Sequence, residues 1–183
     1  MVLLPVFLVL LVLSLRRAPT RDDLRRRRPA DWVIDLTGLA VQGLLIPLVA
    51  VGAVAASLGR LASAPPGGVE LPPIATFLLC FVGVDALYYA NHRLLHRLAW
   101  PAHRVHHEAV AMDVLSTSRN TLWSSLLIVY LWTDALALWC LADPRPWFMA
   151  STLTAGLDLW RHSDLDPRPW FMASTLTAGL DLW

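Results

Sequence analysis

Lysine is absent from this sequence, so all fifteen basic residues are arginine. Cysteine is scarce: the chain has only Cys80 and Cys140, and both lie in apolar runs, which argues against a disulfide framework and against a cysteine zinc site. A glycine-rich phosphate loop and a nucleophile elbow are also missing, which excludes two common kinds of catalytic apparatus. The side chain that remains as a carrier of chemistry is histidine.

Charge is scarce as well. Charged residues make up 16% of the 183 residues, whereas hydrophobic residues make up 56%, and the mean hydropathy is +0.53. A soluble domain of this length would be much less apolar, and a soluble chain of this composition would expose large apolar patches and aggregate. The composition therefore predicts an integral membrane protein.

Apolar segments predict an all-α, multi-pass transmembrane helical bundle with about four spans and a short return limb. The spans are residues 1–15, 33–58, 74–89 and 121–142, and the return limb is residues 147–160. The first span is short, because its helix would cover about 22 Å of a hydrocarbon core ~30 Å thick. Pro47 is expected to kink the second span. We divide the chain into an N-terminal part (1–31), a membrane domain (32–165) and a tail (166–183).

A run of arginines predicts the orientation of this bundle. Seven arginines lie between Arg16 and Arg28, and only Asp22 and Asp23 oppose them. A nucleic-acid patch is the alternative interpretation, but the flanking spans favour a positive-inside loop. Counting spans from this loop places residues 60–73 outside and the histidines on the cytoplasmic side of a bacterial-type cytoplasmic membrane.

Five of the six histidines lie close together in the sequence: His92, His96, His103, His106 and His107. Spacings of three and four residues place each group on one helical face. Pro101, between the groups, is predicted to begin a second helix, because proline is best tolerated in a first turn. A lone histidine is more often structural. This grouping beside apolar segments, where polar side chains are costly, instead predicts a metal site for iron, copper or zinc.

Three further residues are candidates for the same site. A tight turn at residues 143–146 predicts a helical hairpin whose return limb brings His162 to the membrane face of the other histidines. Asp85 lies seven residues before the first histidine, where its carboxylate either accepts a hydrogen bond from a ligand's free N–H or pairs with Arg93. Glu108 either supports the ligands in the same way or is a solvated helix residue.

An internal repeat occupies the end of the sequence. DPRPWFMASTLTAGLDLW occurs at residues 143–160 and again, letter for letter, at residues 166–183. Solenoid repeats are more numerous and diverge in sequence, so two identical copies do not predict a solenoid. We assign the second copy no function of its own.

The histidine region resembles the sterol desaturase/fatty acid hydroxylase superfamily of integral-membrane di-iron oxygenases. The resemblance covers about residues 28–165 and is carried by Asp85, Tyr88, Trp100, HRLLH at 92–96, HRVHH at 103–107, MDVLSTSR at 112–119 and WRHSDL at 160–165. It implies that the six histidines are iron ligands, that the complete family site holds two irons, and that the reaction is an O₂-dependent hydroxylation or desaturation of a lipid C–H bond. It also implies a membrane lipid substrate, an electron-donor protein or reductase, and no nucleic-acid partner.

Two departures from the family pattern bear on activity. Family members carry a further HxxHH-type box after the region that matches His162, and here the second repeat copy, which contains no histidine, takes that place. Asn120 stands where the family often has a histidine. We therefore expect an incomplete iron site and poor catalysis. Two other hypotheses stay open: a haem protein with axial histidines on two spans, and a non-catalytic membrane fragment with a vestigial metal site.

Overall fold

The computed structural model describes residues 3–61, 67–108, 113–163 and 165. Within these residues the regular structure is helical, and the one strand-like pairing is an isolated bridge between Val69 and Leu141. The predicted all-α class is therefore confirmed. The second repeat copy lies outside the described residues, so the division into three parts stays a prediction.

The described helices begin where the sequence offers helix-starting residues. In chain order they are α1 Leu3–Leu15, α2 Ala18–Arg26, α3 Pro29–Ala40, α4 Ile46–Leu61, α5 Pro73–Leu78, α6 Asp85–Leu98, α7 Trp100–His107, α8 Leu122–Leu127, α9 Val129–Cys140 and α10 Arg145–Arg161. Proline lies in the first turn of α2, α3, α5, α7 and α10, where its missing N–H costs no helical hydrogen bond. A short 3₁₀ turn at Ser116–Ser118 precedes α8.

Two long helices are built from pairs of helices joined by π-helical turns. α3 and α4 are joined by Val41–Leu45, where the Ile46 N–H donates to the Val41 carbonyl, one residue further back than in an α-helix. This wider turn lies directly before Pro47, whose ring would otherwise clash with the carbonyl four residues earlier. α5 and α6 are joined in the same way by Leu79–Val84.

The two resulting helices, Pro29–Ser57 and Pro73–Leu98, are long and apolar enough to cross a membrane. Only 17% and 22% of their most apolar windows are buried inside the protein. Leu44, Leu48 and Ile74 on these helices are 65%, 64% and 75% exposed. An apolar exterior of this kind requires lipid or a partner to cover it. The second and third predicted spans therefore exist as long helices, while the total number of spans stays a prediction.

The predicted fourth span is not one helix. α8 and α9 are separated at Ile128, whose ψ of 121° is extended. Side chains satisfy the backbone near this break: the Val129 N–H donates to Asn91 Oδ1 at 3.4 Å, and the Ser125 hydroxyl donates to the carbonyl one turn earlier at 2.9 Å. α9 alone covers about 18 Å. Residues 121–142 therefore form two short helices in place of one long one, and whether this segment crosses the membrane stays a prediction.

The hairpin of α9 and α10 returns the chain to the histidine end, and α10 is longer than the predicted return limb. Asp134 joins the two helices, because its carboxylate accepts hydrogen bonds from Trp147 Nε1 at 2.7 Å and from Ser151 Oγ at 2.9 Å. α10 also packs against α1 and α5. The largest cluster of buried apolar residues lies here and consists of Cys80, Val84, Ala137, Leu141, Trp147 and Ala150.

Buried ion pairs connect the arginine-rich part of the chain with residues 113–119, the segment that follows α7. The Arg27 side chain, 6% exposed, pairs with Asp35 at 2.8 Å and also with Asp113. Arg119 pairs with Asp35 at 2.7 Å and with Asp31 at 3.4 Å. These pairs place the arginine-rich stretch at the same end of the molecule as the histidine region. The sequence predicted a loop there, whereas the structure folds much of it as α2; we keep the name arginine-rich loop for the connection between α1 and α3.

Candidate metal centre

A break between α6 and α7 brings the two histidine groups together. Ala99 takes a non-helical conformation, with φ of −129° and ψ of 29°, and α7 then begins at Trp100 with Pro101 in its first turn. The helix start predicted at Pro101 is therefore confirmed. The break turns the two histidine faces toward each other, and the ring centroids of His92 and His103 are 4.6 Å apart.

Four imidazoles converge at this break and form what we call the four-histidine cluster. The Nε2 atoms of His92 and His96 are 2.9 Å apart, and those of His103 and His107 are 3.2 Å apart. One ring nitrogen from each residue lies within 4.8 Å of the other three. Two nitrogens that bind one ion at about 2.0–2.1 Å lie about 3 Å apart, so this spacing fits a metal site. The structure thus brings together four of the six predicted ligands.

The four-histidine cluster combines buried and exposed rings: His92 and His103 are buried, whereas His107 is exposed. Neutral imidazole is the form that binds metal. His103 is 3% exposed. Its burial lowers its pKa to about 4, and the nearby imidazoles of His107 and His96 make smaller contributions to this decrease. Although His107 is exposed, partial desolvation of its ring by the surrounding protein, and then the nearby His96 and His162, lower the pKa of His107 to about 4. The buried Nδ1 of His103 has no hydrogen-bond partner in the described part of the chain. The low pKa keeps the rings of His103 and His107 neutral, which fits a bound metal ion.

His106 and His162 lie beside the four-histidine cluster and face each other, with ring centroids 5.8 Å apart. His106 Nδ1 donates to the Arg119 carbonyl at 3.2 Å, and His162 Nδ1 donates to the Asp158 carbonyl at 2.8 Å. Hydrogen bonds of this kind hold the ring proton on Nδ1 and leave Nε2 free as a ligand. The structure places His162 next to the other histidines, as the hairpin predicted.

The two carboxylates named from the sequence lie in different surroundings. Asp85 is buried and accepts a hydrogen bond from the Tyr130 hydroxyl at 3.2 Å. Tyr130 lies on α9, so spacing along α6 could not have revealed this contact. The Glu108 side chain is 60% exposed, and its carboxylate lies 3.6 Å from Arg104. Glu108 therefore faces solvent at the end of α7.

Trp100 and Asp158, which lie outside the predicted site set, also contact the histidines. The Trp100 ring packs 5.5 Å from His96 and 5.6 Å from His107, and so covers one side of the cluster. An Asp158 carboxylate oxygen lies 3.4 Å from His162 Nδ1. Asp158 precedes His162 by four residues, and this helical spacing was a signal in the sequence that could have identified it.

A cavity of about 540 Å³ adjoins the histidines. His92, His103, His106 and His162 line it, and it extends to Asp134 and Ser151. Ser151 on α10 and His162, directly after the end of that helix, both line the cavity. They are eleven residues apart, which corresponds to about 16 Å along the helix axis. Its walls combine apolar and polar side chains. The volume suits a small organic molecule bound beside the histidines.

Comparison with known proteins identifies the family. A model of the fatty acid hydroxylase family matches residues 77–179, a range that contains all six histidines together with α6, α7 and α10. No solved structure matches the chain. The resemblance predicted from the histidine boxes is thereby confirmed. Since the match covers more than half of the sequence, this chain belongs to the fatty acid hydroxylase family.

Proposed function

We propose that this chain is an iron-dependent membrane oxidoreductase that uses O₂ to hydroxylate or desaturate a C–H bond of a lipid. Membership of the fatty acid hydroxylase family supports a lipid-modifying oxygenase. The observation that carries the proposal is the four-histidine cluster beside a cavity of about 540 Å³, which His92 and His103 of the cluster line. The substrate class is a sterol, a fatty acid or a related lipid.

The six histidines divide into two sets of candidate iron ligands. His92, His96, His103 and His107 would hold one iron, and His106 and His162 would provide ligands for a second. When bound, iron supplies the O₂ chemistry that removes hydrogen from an unactivated C–H bond. The carbonyls of Arg119 and Asp158 hold protons on the Nδ1 atoms of the second set and so keep each Nε2 available.

The cavity walls would bind and orient the lipid. Ile128, Leu131 and Phe148 provide apolar surface from which a hydrocarbon chain or ring system would displace water. Because the cavity follows α10, an elongated substrate bound there would present one end to the histidines. Binding of this kind would hold the reacting carbon in a fixed position relative to the histidines, which lowers the entropic cost of the reaction.

The membrane placement belongs to the same proposal. The chain would cross a cytoplasmic membrane several times, with the histidines on the cytoplasmic side. Two helices have the length and apolarity to cross, and the pairing of Arg27 with Asp113 joins the arginine-rich loop to the histidine end. Clustered arginines favour the cytoplasmic side. An electron-donor protein or reductase would reach the site from that side, while lipid and O₂ would be the substrates.

Metal analysis of purified variants tests the ligand assignment. We expect non-haem iron in the purified protein, and we expect His92→Ala and His107→Ala each to lower its iron content, because each removes one converging nitrogen. Arg97→Ala, an exposed residue on the same helix as His92, is the matched control. Unchanged iron in both histidine variants would contradict the assignment.

The same measurement separates the other two hypotheses. A Soret band in the optical spectrum would indicate haem in place of non-haem iron. Absence of metal, both from this chain and from a version that carries a third HxxHH box, would favour a non-catalytic fragment. Haem is disfavoured by the packing of the imidazoles. The ring centroids of His92 and His103, and those of His96 and His107, are only 4.6 Å apart, which leaves no room for a planar ring system between them.

We also propose that catalysis by this chain is weak. Six histidines are few ligands for two irons, and the second repeat copy adds none. The test is to express this chain beside a version with a third HxxHH box, supplied with a donor system and lipid substrates. Comparable O₂-dependent product from both proteins would show that this part of the proposal is wrong.

A further inference from the structure

We infer that α3, through Gly38 and Asp35, positions His106 for metal binding by holding the backbone of residues 113–119 in place. Gly38 and Asp35 act as positioning residues, because they reach the site only through that backbone. This inference rests on the proposed function, since it takes His106 to be a ligand. Both positioning residues precede residues 77–179, the part of the chain that matches the family.

The backbone at Arg119 controls the orientation of His106. The ring of His106 is buried, with 9% of the residue exposed, and its Nδ1 donates to the Arg119 carbonyl at 3.2 Å. If the Arg119 carbonyl moved, the His106 ring would either move with it or lose the hydrogen bond that its Nδ1 makes. In both cases Nε2 would no longer be held in its ligating direction.

Gly38 allows α3 to touch this backbone directly. A Cβ added at Gly38 would lie 2.1 Å from the carbonyl oxygen of Ser118 and 2.9 Å from its carbonyl carbon. The Gln42 side-chain amide, one helical turn later, donates to the same oxygen at 3.3 Å. A backbone-to-backbone approach this close is open only to glycine. The contact therefore sets the position of the peptide that leads into Arg119.

Asp35 holds the same segment by charge. Its carboxylate accepts hydrogen bonds from Arg119 Nε at 2.7 Å and Nη2 at 3.1 Å, and Arg27 bridges it to Asp113. The Asp113 carboxylate in turn accepts hydrogen bonds from the backbone N–H groups of Leu115 at 2.8 Å and Ser116 at 2.9 Å. Both ends of the 113–119 segment are thus tied to α3, while its last carbonyl binds His106.

Cobalt(II) titration of the metal-free full chain in detergent, followed by visible absorption, tests this inference. Gly38→Ala forces the 113–119 segment away from α3, and we expect its cobalt affinity to fall roughly 10–100-fold, as it does when a group that orients a ligand is lost. Gly43→Ala is the matched control, because a Cβ there has no atom within 4 Å. We expect that variant to bind like the wild type.

A double variant distinguishes positioning from general damage. If Gly38 acts through His106, adding Gly38→Ala to His106→Ala will cause no further loss of affinity. Additive losses, or an unchanged affinity in Gly38→Ala alone, would overturn the inference. Size-exclusion chromatography reports folding, and if Gly38→Ala does not fold, Asp35→Asn takes its place in the same cycle with the same criteria. A wild type that binds no cobalt would instead refute the proposed function.

Discussion

The replacement of Asp35 by asparagine is the most direct test of how the N-terminal helices are held to the rest of the fold. The Asp35 side chain is fully buried and lies 2.8 Å from Arg27 Nη1 and 2.7 Å from Arg119 Nε. Asparagine keeps the shape of aspartate but removes the charge. The asparagine NH₂ group would also point at Arg27 or Arg119. An arginine side chain has only hydrogen-bond donors, so it cannot accept that hydrogen bond.

The structure allows an estimate of the cost. Removing one partner of a buried ion pair destabilises a protein by about 3–5 kcal/mol, because a buried charge is left uncompensated. Here each arginine keeps another carboxylate: Arg27 keeps Asp23 at 2.8 Å as well as Asp113, and Arg119 keeps Asp31 at 3.4 Å. We therefore expect Asp35→Asn to lower the free energy of unfolding by about 3 kcal/mol, the lower end of that range.

An exposed ion pair in the same region provides the control. Asp22 lies 4.0 Å from Arg25, and their side chains are 59% and 77% exposed. Exposed pairs of this kind contribute less than about 1 kcal/mol, so Asp22→Asn should leave the free energy of unfolding nearly unchanged. Denaturant unfolding in detergent micelles, followed by tryptophan fluorescence, measures both variants. Equal effects of the two substitutions, or an Asp35→Asn protein as stable as the wild type, would refute this reasoning.

Two further predictions follow from single contacts, and a third follows from the position of the arginine-rich loop. Trp147→Phe removes the indole N–H that binds Asp134 and should lower the free energy of unfolding by about 1–3 kcal/mol in the same assay; no change would contradict a role for this bond. Thr121→Ala removes both the N-cap of α8 and a 2.6 Å hydrogen bond to the Ala102 carbonyl, so we expect a loss of about 1–2 kcal/mol, and wild-type thermal stability would argue against it. Arg25→Cys should be protected from a membrane-impermeant thiol reagent in intact cells, because the arginine-rich loop is proposed to be cytoplasmic; ready labelling would reverse the topology.

Local sequence patterns determined the features that depend on neighbours along the chain. The three- and four-residue spacings of the histidines placed them on shared helical faces, and Pro101 marked the start of α7. The apolar segments correctly predicted two long helices, because length and hydropathy are properties of a continuous stretch. The two histidine boxes were also enough to predict the family that the comparison confirmed.

Tertiary structure decided the features that join distant parts of the chain. At the break at Ile128, the backbone N–H of Val129 donates to the side chain of Asn91, which lies 38 positions before Val129. The close contact between Gly38 and Ser118 and the pairing of Asp35 with Arg119, 84 positions away, leave no periodic signal in the sequence. Spacing on one helix reports which side chains share a face, but the partner of that face is chosen by packing. For this reason the sequence predicted the ligand type, whereas the supports that orient the ligands appeared only in the folded chain.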